Sequence, residues 1–331
     1  MTPKLSIIIT HCKEEWKDCY KMFSMLEIQR GVNFDDVEII VVQDGTQYKL
    51  SSLMIDCERF HCTIVNTESV NGNPAGVSAA RNKGLSEATA PWVMFCDCDD
   101  MLYCADSLNR ILTSIDQTGN RGDLLWAPIW IEYNGKHWNK VLKEWNSVFI
   151  HGKVYRRQFL IDNTISFDTE LSYAEDALFN AEVAMCIKPS RIGRIPEVTY
   201  MWCQRPESLS SYTGGDAERN LNLYKMRLKR CRLYDKHNMH YEAETSAIRA
   251  ALDYYWELNA DKGAPAGGLR ATWMERVRCI LHEYPACLQH VTTDDWNKLC
   301  KAAEDEAKSK HFYREDNPQI DGWIASLQER K

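Results

Sequence analysis

Apolar and polar residues alternate along the first two hundred positions in blocks rather than singly. Leu5-Ser-Ile-Ile-Ile-Thr10 and Val37-Glu-Ile-Ile-Val-Val42 are near-continuous apolar runs. Such runs mark strands covered on both faces. Thr63-Ile-Val65 and Trp92-Val-Met-Phe95 are shorter runs of the same kind. Between them, residues 14–30 place Trp16, Cys19, Tyr20, Phe23 and Leu26 near helical spacing, and 77–88 form a second helical segment after the loop Asn71-Gly-Asn-Pro-Ala-Gly76. Strand and helix in alternation predict a mainly parallel, doubly wound α/β sheet flanked by helices. Ligands in such sheets bind beyond the carboxyl ends of the strands. Thr10, Asp44 and Asp97 all stand there.

Further along, residues 124–133 and 198–203 read as strands, with a hairpin around Asn134-Gly135 in a segment rich in tryptophan (Trp126, Trp130, Trp138, Trp145). After Gly214-Gly215 the pattern becomes almost wholly helical, broken by Gly, Pro and Ala at 263–268. Residues 1–216 carry 21 basic and 29 acidic groups, and 217–331 carry 19 and 18. The shift predicts an α/β domain over 1–213 and a helical C-terminal domain over 214–331, the latter suited to acceptor or partner binding. No run of 18 apolar residues exists, so no membrane-spanning helix is expected. The 13 cysteines are scattered without a CxxC pair, as expected of reduced thiols in a cytoplasmic protein rather than of zinc ligands or a disulfide framework.

The chemistry concentrates in Phe95-Cys-Asp97-Cys-Asp99-Asp100, where an apolar strand runs into three carboxylates. That much negative charge at one point calls for a cation, and hard divalent ions take carboxylate oxygens together with phosphate oxygens. Asp99, helped by Asp97, is the expected ligand of Mn²⁺ or Mg²⁺. Asp100 reads equally as a cap for the next helix. Asp44 ends a strand in Asp-Gly, an ordinary turn by itself. Ser172 and Glu175 have the spacing of a capping box. Asp176 lies in the first turn of the same helix, where the helix dipole favours its ionised form and suits it to act as a base. Arg81 and Arg205 are candidate phosphate partners. Between Arg219 and Lys236 there are seven basic residues and one acid. Lys225, Lys229 and Arg232 share one face, fit for a solvated surface or for an anionic partner such as nucleic acid or a membrane surface.

In this order the motifs resemble family-2 glycosyltransferases of GT-A fold. Ser6 to Thr10 resembles the family's first strand, Glu38 to Thr46 its strand ending in an acidic nucleotide turn, and Gly76 to Gly84 its donor-site helix. Trp92 to Asp100 resembles the DxD segment, and Ala174-Glu-Asp176 the acidic pair holding the catalytic base; Gly152 to Arg157 and Tyr200 to Ser210 are also similar. His11-Cys12-Lys13 and Gln43 depart from the family's usual residues, which leaves nucleotide selectivity open. The resemblance implies a metal-dependent, inverting transfer from a nucleotide-sugar donor, UDP-linked by preference, to a hydroxyl acceptor such as a saccharide. It implies Asp176 as base, Thr10, Asp44, Gly76, Arg81, Asp97, Asp99 and Arg205 on the donor, and Glu175 and Trp202 on the acceptor; Lys225, Lys229 and Arg232, in the tail after 214 that the resemblance does not cover, are acceptor candidates by their charge alone. The alternatives are glycosylation of a hydroxylated base in DNA through the 219–236 helix, and a non-catalytic nucleotide-sugar-binding module. A phosphohydrolase using Asp97 as nucleophile fits less well, because that class carries its DxD on the first strand.

Overall fold

The computed structural model describes residues 2–45, 61–68, 73–133, 136–204, 217–247, 250 and 294. The chain divides into two compact units, Met1–Tyr212 and Thr213–Lys331. In the first, seven strands form one sheet. They are β1 (Leu5–His11), β2 (Val37–Gln43), β3 (His61–Asn66), β4 (Trp92–Asp97), β6 (Leu124–Trp126), β9 (Lys153–Arg156) and β10 (Ile192–Arg194). Their order is β10-β6-β9-β4-β1-β2-β3. Every pairing is parallel except those of β9, which runs antiparallel to both β4 and β6. The carboxyl ends of the six parallel strands and the amino end of β9 therefore share one rim.

The apolar runs dictate this arrangement. All seven residues of β1 are buried. Leu5, Ile7 and Ile9 face helices α1 (Trp16–Glu27) and α3 (Ser107–Thr118), packing with Met22, Phe23, Leu26, Leu108 and Ile111. Ile8 faces the other way, in a cluster that takes in Ala80 of α2 (Val77–Glu87) and Phe179 and Val183 of α5 (Glu175–Cys186). Each such aliphatic side chain contributes on the order of 1.5–3 kcal/mol by burial. Gly84 lets α2 lie against the sheet, since a Cβ there would sit 2.2 Å from Ile8 Cγ2. Cys96 and Cys98 bury into the α1 side while the intervening Asp97 stays partly in solvent, as strand alternation requires. The nine described cysteines are free thiols.

A smaller sheet orders β5 (Met101–Leu102), β11 (Tyr200–Gln204), β7 (Ile129–Tyr133) and β8 (Lys136–Leu142). The segment 124–133 is thus two strands. Proline lacks an N–H for the ladder; at Ala127-Pro128 the chain leaves the large sheet and enters the small one. The β7–β8 pair is antiparallel, as the hairpin expectation requires, and its turn residues 134–135 lie outside the described residues. Short helix α4 (Arg157–Asp162) follows β9. In the second unit, α6 (Ala217–Lys236) is followed by helical residues at 240–247. No helix among the described residues is long and apolar enough to cross a membrane.

Candidate active site

At the rim, β4 delivers Asp97 beside β1. The Asp97 carboxylate accepts hydrogen bonds from the Thr10 hydroxyl (3.2 Å) and from Arg81 Nη2 (2.9 Å). His151 Nε2 lies 3.4 Å from its other oxygen. Burial would raise the proton affinity of Asp97, but the charge of Arg81 and the bonds from His151 and Arg81 prevail and hold it well below the usual carboxylate range. Arg81 projects from α2, is 4% exposed and stacks over Phe167 at 5.3 Å. Burial opposes its charge, yet Asp97 and Glu175 keep it firmly protonated. Its Nη1 donates to Glu175 Oε1 at 2.5 Å. One guanidinium thus ties the end of β4 to the start of α5.

Two local readings are corrected by this geometry. Glu175 is not half of a capping box with Ser172: the residue preceding α5 is Ala174, which supplies no side-chain cap, and the Glu175 carboxylate serves Arg81 instead. Asp100 does not cap the following helix, which begins at Ser107 after Asp106. It is 1% exposed and accepts from the Tyr200 hydroxyl (2.6 Å) and the Cys203 backbone N–H (2.8 Å). Burial, then the charges of Asp99 and Asp97, push its proton affinity well above normal.

Asp176 follows Glu175 on α5 and is half-buried, its carboxylate accepting from the Ala177 N–H at 2.7 Å. Burial and the adjacent Glu175 charge lift its pKa to about 7, against the pull of Arg81 and Lys153. Ala174, immediately before this acidic pair, sits in the left-handed region at φ 62°. Such a conformation costs an L-residue on the order of 1 kcal/mol or more, and it aims the first turn of α5 at the rim residues.

Asp44, 2% exposed, binds inward. Its two oxygens accept from the Thr67 hydroxyl (2.6 Å) and the N–H groups of Ala75 and Gly76 (both 2.7 Å). It therefore pins the loop that starts α2, and Gly76 takes φ +98° there. Trp202 packs beside the rim, 4.9 Å from Phe149 and 5.4 Å from His151. Asp99 is half-buried. Arg205 lies outside the described residues. On α6, Lys225 and Arg232 are exposed and Lys229 is half-buried.

The sequence reading missed His151. It arrives on the loop before β9 and stacks on Tyr200 at 5.2 Å. Among the described residues, Asp97, Asp100 and His151 form the group of three donors whose ligand atoms lie within 4.8 Å of one another; Asp99 is outside it. Asp97, held ionised by Arg81, Asp100, whose proton a bound cation would displace, and an imidazole nitrogen within 3.5 Å of both fit a divalent cation. The sequence signal was only the pair His151-Gly152; in the structure Gly152 takes φ +69°, and an added Cβ there would lie 2.5 Å from Ile129 and 2.9 Å from the Ala127 carbonyl oxygen.

A parallel sheet with acids gathered at its carboxyl rim and a second small sheet beside it define a GT-A nucleotide-binding fold. Residues 6–171 match the glycosyl transferase family 2, and the chain belongs to that family. It is 25% identical to the uncharacterized glycosyltransferase EpsJ of Bacillus subtilis over 199 residues, covering 53% of this chain and 55% of that one. It is 27% identical over 165 residues to the poly(ribitol-phosphate) beta-N-acetylglucosaminyltransferase TarP of Staphylococcus aureus, covering 45% of this chain and 48% of TarP. The chain spans about half the length of these relatives. Among solved structures, S. aureus TarS 1–349 in complex with UDP-GlcNAc superposes with a TM-score of 0.55 at 19% identity, covering 85% of this chain and 91% of that one.

Proposed function

We propose that the protein transfers a sugar from a UDP-linked donor to a hydroxyl of a saccharide or polyol acceptor, with inversion at the anomeric carbon. The observation that carries this reading is the continuous link Asp97–Arg81–Glu175, which sets the acid-rich donor rim against Asp176. Asp176, poised near neutrality, removes the acceptor's proton while that oxygen bonds to the anomeric carbon and the bond from that carbon to the diphosphate oxygen breaks. The electron pair leaves with the nucleoside diphosphate, so a single displacement inverts the centre. Arg81 keeps Asp97 ionised and in place. Thr10, Asp44 and Gly76 form the donor side of the rim, Asp44 acting through the loop it pins.

Asp97, Asp100 and His151 would hold the cation, with Asp99 next to them on the same turn. The mixed oxygen and nitrogen set favours Mn²⁺ over Mg²⁺, which prefers oxygen alone. A cation held there supplies Lewis-acid stabilisation of charge on the leaving diphosphate. The likeness to TarP and TarS supports UDP-GlcNAc as the first donor to assay and a polyol phosphate chain as an acceptor to include.

Calorimetry with UDP, with and without Mn²⁺, tests the donor half. Metal-dependent binding lost in Asp97→Asn and weakened in His151→Ala is expected. Wild-type protein that ignores UDP at millimolar Mn²⁺ would overturn the proposal.

A further inference from the structure

Beyond the residues assigned to the donor, the rim continues across β9, β6 and β10. Strand register places Arg194 of β10 beside Trp126 of β6, and Trp126 beside Lys153 of β9. With strands about 4.8 Å apart, β6 lies roughly 10 Å from β4 and Asp97. Trp126 packs against Trp145 at 5.9 Å in an edge-to-face arrangement. The Lys153 ammonium sits 5.1 Å over the Trp145 ring and donates to the Phe149 carbonyl oxygen. The Arg194 guanidinium lies 5.1 Å over Trp126. Arg194 is exposed and forms no ion pair among the described residues, and Trp145 keeps 38% of its surface in solvent. Lys153 feels the charge of Asp176, so this cluster adjoins the proposed base.

An exposed indole offers a flat apolar platform to the C–H face of a sugar ring. An exposed guanidinium with no acid partner is a fork for phosphate or carboxylate oxygens. Arg194 ends β10 at the rim and Trp145 lies in the irregular segment between β8 and β9, and neither belongs to the apolar core. We infer that Trp145, Trp126 and Arg194 form an acceptor subsite for an anionic saccharide or polyol, whose ring stacks on Trp145 and whose charged group meets Arg194. The separation from Asp97 matches the reach of a short oligosaccharide, so the charge belongs on a unit near the one that receives the sugar. This assignment rests on the transferase reading and narrows its acceptor class.

Saturation-transfer NMR with cellobiose, its phosphate monoester and its uronic acid, each added to protein saturated with UDP and Mn²⁺, tests the subsite. The charged probes are expected to bind about ten-fold tighter than cellobiose, the scale of one charge-assisted hydrogen bond. Arg194→Gln should bring all three to parity. Trp145→Ala should weaken all three, and Trp145→Phe should restore part of the loss. Preference for the phosphate marks a phosphate-bearing acceptor; preference for the uronate marks an acidic sugar. Equal affinity for charged and neutral probes in wild type overturns the inference. So do unchanged binding in the variants, absence of probe binding by protein that holds UDP, and binding confined to a short DNA duplex. Failure of wild type to bind UDP would instead refute the transferase reading itself.

Discussion

Replacing Arg81 with methionine probes the connection on which the site depends. The apolar stem is kept and the charged head removed, leaving Asp97 and Glu175 without their shared cation. The Glu175 side chain is 10% exposed and that of Asp97 is 29% exposed, so water compensates little at the former. Removing one partner of a buried ion pair costs on the order of 3–5 kcal/mol. Loss of the stacking on Phe167 adds up to about 1 kcal/mol. A loss of about 4 kcal/mol moves a urea midpoint down by roughly 2 M for a slope of about 2 kcal/mol per molar. The sign of the pH dependence follows from Asp97. Its carboxyl is depressed in the folded state, so its contribution is present above the unfolded value near 4 and fades as pH falls through the still lower folded value. The gap between wild type and variant should be full at pH 7 and shrink below about pH 4. Adding Glu175→Gln should recover part of the loss, a coupling of more than about 1 kcal/mol. Urea titrations of the full chain followed by tryptophan fluorescence measure all of this. A cost below about 1 kcal/mol at pH 7, or strict additivity in the double variant, would refute the linkage.

Three further outcomes are expected. Because burial and Glu175 lift Asp176 to about 7, kcat/KM should rise with pH and level off above about 7, while Asp176→Asn should lose on the order of 10²–10⁴-fold and give a flat profile between pH 5.5 and 8.5. Gly84→Ala should destabilise by about 1–3 kcal/mol in thermal unfolding, since its Cβ meets Ile8 at 2.2 Å and Val42 at 3.1 Å. Ala174→Gly should be neutral or stabilising by up to about 1 kcal/mol because it relieves a left-handed backbone, whereas Ala174→Val should lose about 1–3 kcal/mol in the same assay.

The sequence by itself determined the large sheet's frame. Short β-branched apolar runs bounded by turn residues suit strands covered on both faces, and their alternation with helical segments makes the strands parallel, so Thr10, Asp44 and Asp97, where the runs end, were placed on one rim by pattern. The tertiary structure decided the partners. Arg81 and Glu175 are 94 positions apart, and nothing in either segment names the other. The antiparallel β9 slots between β4 and β6 and carries His151 and Lys153 to the rim, a pairing set by long-range register rather than periodicity. Asp100 and Glu175 looked like helix caps because capping is a local habit of acids near helix starts. Burial beside Tyr200 and Arg81 gave them other partners, since a carboxylate enclosed by apolar groups must find its hydrogen bonds where the fold supplies them.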